Sequence, residues 1–278
     1  CLVLTVLQHL SYPDAPSPDR HLPADAAAYR QQLSTARGDV MLVGDVNSLL
    51  KADPTATSDF LTGSAWYLNP HPVQNTYTTI GFRGYFDRFP MDYDGSNPPV
   101  NLRTLFSVEP TTGTRRVDLL AVSTVLLVRR DFPDGRLRHP PAGWHLTQRT
   151  PLAVTWVRDH PVPGAGRPVW SSAGTSVSLV SADDRTARFR VEEVPAGGGR
   201  VVLGELAWPG FRTDVGELAD PVDGYLLTVR LPPDAAGRTV TVHFSPPGWT
   251  LEVATWWVGV VGGLVWCGLL LRRRPRGC

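Results

Sequence analysis

Thr239-Val240-Thr241-Val242-His243-Phe244 alternates polar and apolar side chains, and Arg188-Phe189-Arg190-Val191-Glu192 does the same. Successive side chains of a strand point to opposite faces, so this pattern describes strands with one dry face and one wet face. Outward from these two segments, further short runs at residues 152–157, 175–180, 201–206 and 225–231 have strand composition. Ala196-Gly197-Gly198-Gly199, Asp223-Gly224 and Ala236-Gly237 supply the turns between them. Short strands at this spacing predict an antiparallel β-sandwich over residues 140–248. The alternation assigns Phe189, Val191, Leu203, Leu227, Val229, Val242 and Phe244 to its core.

Upstream the pattern changes. Residues 24–33 are helix formers with Asp25 placed to cap them. Asp39-Val40-Met41-Leu42-Val43-Gly44-Asp45 has the form of a short buried strand ending in a turn, followed by a helix over 46–51. Asp45 at a strand end is placed either for catalysis or to cap that helix, and capping is the commoner use. A short helix is expected over 101–108, and 117–128 reads as a helix end running into a buried strand at 124–128. Residues 24–139 are therefore expected to form a small α/β unit, and the whole chain to be α+β.

The longest uncharged run, residues 253–271, lies between Glu252 and the cluster Arg272, Arg273, Arg274. About 19 residues at helical rise span roughly 28 Å, close to the hydrocarbon thickness of a bilayer. Trp249, Trp256 and Trp257 crowd one end, where amphipathic rings favour the headgroup level, and arginines flank the other. A transmembrane helix is expected over 249–272 with residues 273–278 as a cytoplasmic tail, which places everything before Trp249 outside the cytoplasm. Cys1-Leu2-Val3-Leu4-Thr5-Val6-Leu7 is apolar but too short to span. Residues 1–23 are read as the outer end of a truncated membrane helix followed by a proline-rich extended linker. A lipoprotein-like leader ending in a lipidated Cys1 is the alternative, and it leaves the apolar run after the cysteine unexplained.

Net charge is +1, too small for a field that would attract nucleic acid. The three cysteines, Cys1, Cys267 and Cys278, lie at or within the expected membrane ends, so no disulfide, thiolate metal site or cofactor is expected in the exported part. Dinucleotide-binding, phosphate-loop, zinc-protease and nucleophile-elbow motifs are lacking, and His139, His145, His160 and His243 are scattered without ligand spacing. No catalytic and no metal-binding residue is assigned.

Residues 59–94 are the densest polar and aromatic stretch. Tyr77, Arg83, Tyr85, Arg88, Asp92 and Asp94 are the glycan-binding candidates, because rings stack on apolar sugar faces while carboxylates and guanidinium groups bond hydroxyls. The competing reading is a local core with arginine stems packed over it. Asp92-Tyr93-Asp94-Gly95-Ser96-Asn97 resembles a calcium loop only in part, because the closing carboxylate position falls on Arg103. A turn is the better account.

Arg200-Val201-Val202-Leu203-Gly204-Glu205-Leu206-Ala207-Trp208-Pro209-Gly210-Phe211 resembles the strand ending in an aromatic-Pro-Gly-aromatic turn of bacterial YfhO-type membrane proteins. Asp223-Gly224-Tyr225, then Val240-Thr241-Val242-His243-Phe244-Ser245-Pro246-Pro247 and the terminal apolar run, follow in the same order. Val117-Asp118-Leu119-Leu120-Ala121-Val122 through Val128 is similar to another segment of that family. The resemblance implies the C-terminal extracytoplasmic region of a multi-spanning glycosyltransferase of the GT-C type, which uses lipid-linked sugars in the cell envelope. It implies that this region binds or positions the glycan acceptor, with the membrane and a cell-envelope glycan or lipid-linked sugar as partners. A non-enzymatic, membrane-anchored binding or structural module at the cell surface is the alternative.

The orientation is testable. In sealed cells a membrane-impermeant thiol reagent should leave Cys278 unlabelled, whereas strong labelling there reverses the topology.

Overall fold

The computed structural model describes residues 33–52, 71–75, 81–92, 95–162, 164, 166–183 and 185–272. The expected linker over 1–23, nearly all of the helix over 24–33 and the tail over 273–278 lie outside them. In chain order the first unit contains β1 (Asp39–Val43), α1 (Val46–Ala52), α2 (Arg83–Arg88), α3 (Val100–Phe106), α4 (Arg116–Leu119), β2 (Val122–Val128), α5 (Asp134–Arg138), β3 (Trp144–Arg149) and β4 (Ala153–Arg158). The second contains β5 (Pro168–Ser171), β6 (Ser176–Ala182), β7 (Thr186–Glu193), β8 (Gly199–Leu206), β9 (Phe211–Thr213), β10 (Glu217–Val222), β11 (Leu226–Leu231) and β12 (Thr239–Phe244). Helix α6 (Trp249–Arg272) ends the described chain. The protein is mixed α+β and mostly β.

The first sheet has the order β1-β2-β4-β3, with β1 parallel to β2 and the remaining pairs antiparallel. Every residue of β1 and β2 is buried, as expected for strands covered on both faces. On one face Val40, Leu42, Leu126 and Val128 pack against Leu33, Ala36, Val46 and Leu49. On the other, Met41, Val43, Val125, Leu127, Val154 and Trp156 meet side chains from α2 to α5. The outer edge of β1 is closed by a side chain: Asn75 accepts from the Leu42 backbone N–H and donates to the Leu42 and Gly95 carbonyls, at 2.7–2.9 Å. Beside it a single parallel backbone bridge, in which the Val40 N–H donates to the Pro72 carbonyl and the Gln74 N–H to the Val40 carbonyl, completes the edge, so that a carboxamide and one bridge stand where an exposed edge would seek a neighbouring strand.

The other two sheets, β10-β11-β8-β5 and β6-β7-β12-β9, are antiparallel. Phe189, Val191, Val240 and Val242 from one face Val201, Leu203, Leu227 and Val229 from the other, which makes the sandwich. Of the expected core residues all are buried except Phe244, which is half buried and lies against Phe211 with ring centroids 4.9 Å apart. The strand expected at 152–157 to open the sandwich joins the first sheet instead, as β4 between β2 and β3. Alternation sets which face of a strand is dry, and Val154 and Trp156 find that dry partner in β2 and the helices rather than in the sandwich.

The middle sheet is buried on both sides. Val202, Val222, Tyr225 and Leu226 point away from the sandwich core into the cluster that holds Met41, Tyr85, Phe89, Leu105 and Trp156. The two units therefore share one hydrophobic layer. At its rim the hairpin between β10 and β11 turns through Asp223 and Gly224, both at positive φ (53° and 79°), the geometry that favours Asp-Gly in a two-residue turn.

Helix α6 is long and apolar enough to cross a membrane over Trp249–Gly268, with mean hydropathy 1.4 and none of that window buried. Among the described residues nothing covers it.

Replacing Phe189 by Ala should cost about 3–5 kcal/mol in urea unfolding, the range for a fully buried aromatic ring. Phe244→Ala should cost clearly less, and equal losses would contradict the register of the outer sheet.

Candidate functional site

Helical spacing disperses the expected site. Arg83 and Tyr85 are two positions apart on α2 and so point to different sides. Arg83 reaches solvent, with its side chain 92% exposed and Nε 3.8 Å from Asp87. Tyr85 is 4% exposed, its ring 5.2 Å from that of Phe89 and 5.4 Å from that of Tyr225. It offers no open ring face, and burial pushes its phenol far up. Arg88 swings over the core edge to Asp223, 2.9 Å away. Asp92 lines a groove. Tyr77 and Asp94 lie outside the described residues.

Asp223 is held more firmly still by Arg116, whose Nε and Nη2 donate to its two carboxylate oxygens at 2.6 and 3.0 Å. Both side chains are more than nine-tenths buried. The Asp223 hydrogen bonds hold the Arg116 guanidinium above its ordinary pKa. Burial first, and then the Asp223 carboxylate, push the Tyr225 phenol up. This pairing is bidentate and charge-assisted, and it fixes the β10–β11 turn onto α2 and α4. Its geometry is that of a structural clasp.

The groove that carries Asp92 has a volume of about 520 Å³ and lies at the carboxyl end of β1. Open α/β arrangements place their ligands at such strand ends, because the following loops are free to vary there. Asp45, Asn47 and Ser48 line one wall; Met91, Asp92, Ser96 and Asn97, with Pro90, Pro98 and Pro99, line the other. Local folding accounts for each. Gly44 has φ +131°, and any side chain there would collide with Val128, so the chain can turn sharply out of β1. Asp45 then caps α1 by accepting from the Ser48 N–H at 3.0 Å. Ser96 Oγ accepts from the Val46 and Asn47 N–H groups at 2.9 and 3.3 Å. The first amides of α1 are thus already bonded within the protein.

The opposite wall is a tight turn, in which the Gly95 N–H donates to the Asp92 carbonyl and the Asp92 N–H to the Ser96 carbonyl. Gly95 takes φ +89° there. Asn97 donates to the Leu42 carbonyl at 2.6 Å, while its own carboxamide oxygen is buried without a donor among the described residues. Asn101, whose amide reaches the Pro90 carbonyl, leaves a buried carboxamide oxygen in the same condition. Asn47 Nδ2 bridges the groove to Asp92 Oδ2 at 3.3 Å.

Chemically the groove offers carboxylates, carboxamides and hydroxyls beside flat proline faces and a methionine. Among the described residues no three His, Cys, Asp or Glu side chains gather to hold a metal ion. The capping role weighed for Asp45 is present, and the same residue also lines the groove. Asn47, Ser48, Ser96 and Asn97 were not foreseen as site residues; their only signal was position, beside a strand-end aspartate and within a turn. A smaller depression of about 330 Å³ pairs His145 Nδ1 with Asp159 Oδ1 at 2.6 Å beside Arg37 and Thr147. Both partners are about half exposed, so this pair contributes little.

Comparison with protein-family models, curated proteins and solved structures gave no match.

Asp223→Asn keeps a residue tolerant of positive φ but leaves Arg116 buried against a neutral amide. It should cost about 3–5 kcal/mol in urea unfolding, as breaking a buried ion pair does. Arg83→Ala should stay within about 0.5 kcal/mol, the range for exposed substitutions. Equal losses would put α2 in a different orientation.

Proposed function

We propose that this chain is the membrane-anchored, extracytoplasmic part of an envelope protein, and that its groove between Asp45 and Asp92 binds a glycan. The observation that carries this reading is the composition of the groove walls. Sugar hydroxyls need paired acceptors and donors, and Asp45, Asp92, Asn47 and Ser48 present both across one opening. Sugar C–H faces need flat apolar surface, which Pro90, Pro98, Pro99 and Met91 provide. A membrane-length helix on the same chain supports a tethered role.

The resemblance to YfhO-type proteins makes this role more particular: the groove presents a glycan acceptor to a glycosyltransferase centre held elsewhere in the parent protein. In this reading the chain contributes binding and position, and the transferase chemistry belongs to the membrane part. A non-enzymatic surface module would use the same groove for adhesion alone.

Binding is measured with solubilised full-length protein and isolated cell-envelope polysaccharide. Asp92→Ala should weaken it about tenfold or more, since a hydrogen bond to a charged group contributes about 1.5–3 kcal/mol. The melting temperature should hold, because Asp92 is exposed. Unchanged binding in both Asp92→Ala and Asn47→Ala would remove the groove as the site.

A further inference from the structure

The end of the sandwich from which α6 departs is unlike the opposite end. Phe244 closes β12, and only residues 245–248 separate it from Trp249, the first residue of α6. Four residues reach at most about 14 Å when extended, and here they are not free to extend. The Ser245 N–H donates to the Gly210 carbonyl at 3.0 Å, and the Trp249 N–H to the Pro246 carbonyl at 3.1 Å. Gly210 sits so close to the Ser245 carbonyl that no side chain fits there. The turn containing Gly210 is therefore tied to the start of the membrane-length helix.

That turn is Trp208-Pro209-Gly210-Phe211, the segment that the sequence singles out and that the groove does not use. Trp208 stacks edge-on with Phe82, ring centroids 5.2 Å apart, and Phe211 lies against Phe244. These four rings are only half buried, and Pro209 is exposed. Arg83, next to Phe82, projects into solvent beside Asp87. Half-buried rings with an arginine at their margin match the headgroup region, where amphipathic aromatics and guanidinium groups are favoured. Trp249 and, farther along the helix, Trp256 and Trp257 continue the aromatic belt from the domain into α6.

We infer that this tip, made of Phe82, Trp208, Pro209 and Phe211, rests on the surface of the bilayer that α6 crosses. The contact sets the domain's orientation, so that the tether does not act as a free swivel. The inference rests on α6 being a membrane anchor, and the experiment separates the two.

Full-length protein with Cys1, Cys267 and Cys278 changed to Ser is reconstituted into phosphatidylcholine vesicles carrying a headgroup-depth or an acyl-depth spin-label quencher. A fluorophore is placed singly at Pro209→Cys, Arg83→Cys, Ala196→Cys or Val258→Cys. Ala196 is exposed in the turn between β7 and β8, at the far end of the sandwich. The expected result is strong acyl-depth quenching at Val258, and headgroup-depth quenching at Pro209 and Arg83 several-fold above that at Ala196. Quenching at Val258 with Pro209 and Arg83 no different from Ala196 overturns the docked tip while leaving the anchor intact. Lack of quenching at Val258 overturns the anchor, and the tip contact falls with it. Agreement between Pro209 and Arg83, which lie on different elements, guards against a misfolded single variant.

Discussion

The structure depends on a single sheet having to be dry on both faces. Strands β8 and β11 send Val201, Leu203, Leu227 and Val229 to the sandwich core, and Val202 and Leu226 to the core of the first unit. Each fully buried aliphatic side chain contributes roughly 1.5–3 kcal/mol, so neither set could be left in water without a substantial loss. The two units are therefore held as layers of one body, with α4 in contact with both the first sheet and the middle one and α2, α3 and α5 contributing to the same core. An exposed middle sheet would also present two apolar faces for association.

At the rim of that layer, the Asp223 cluster solves a local problem. A turn residue at positive φ, two arginines and two tyrosines meet where three elements converge. Removing charges from water is costly, and bidentate geometry offsets much of that cost. In the observed docking of the β10–β11 turn on α2 and α4, a single carboxylate satisfies both guanidinium groups. That docking reaches the end of the sandwich from which α6 departs, because the Gly224 carbonyl packs against Gly84, next to Arg83 and two residues from Phe82.

The groove lies in the first unit, at the carboxyl end of β1, while α6 leaves from the sandwich. The groove and the membrane-length helix are thus carried by different units and related through the shared core. In the proposed reading this arrangement would hold the groove at a set height and angle relative to the end of α6.

Much of this was legible in the sequence. Strands β7 and β12 have one wet face, so their alternation shows directly, and Asp223-Gly224 announced its turn through the one residue pair suited to two positive φ angles. The span of α6 followed from the length of an uncharged run, and the strand–turn–helix at Asp39 to Ala52 from its apolar run and cap. Those features are local, because each is set by the period of one strand, the sterics of one turn or the length of one helix. What only the tertiary structure decided is partnership. Periodicity could not assign β4 to the first sheet, because a dry face does not name what dries it. It could not show that β8 and β11 have two dry faces serving different cores. Nor could composition separate Tyr85, which lies in the core, from Asp92, which lines a groove: both sit in one polar-aromatic stretch, and the difference between them is which neighbour, protein or solvent, the fold brings to each side of the chain.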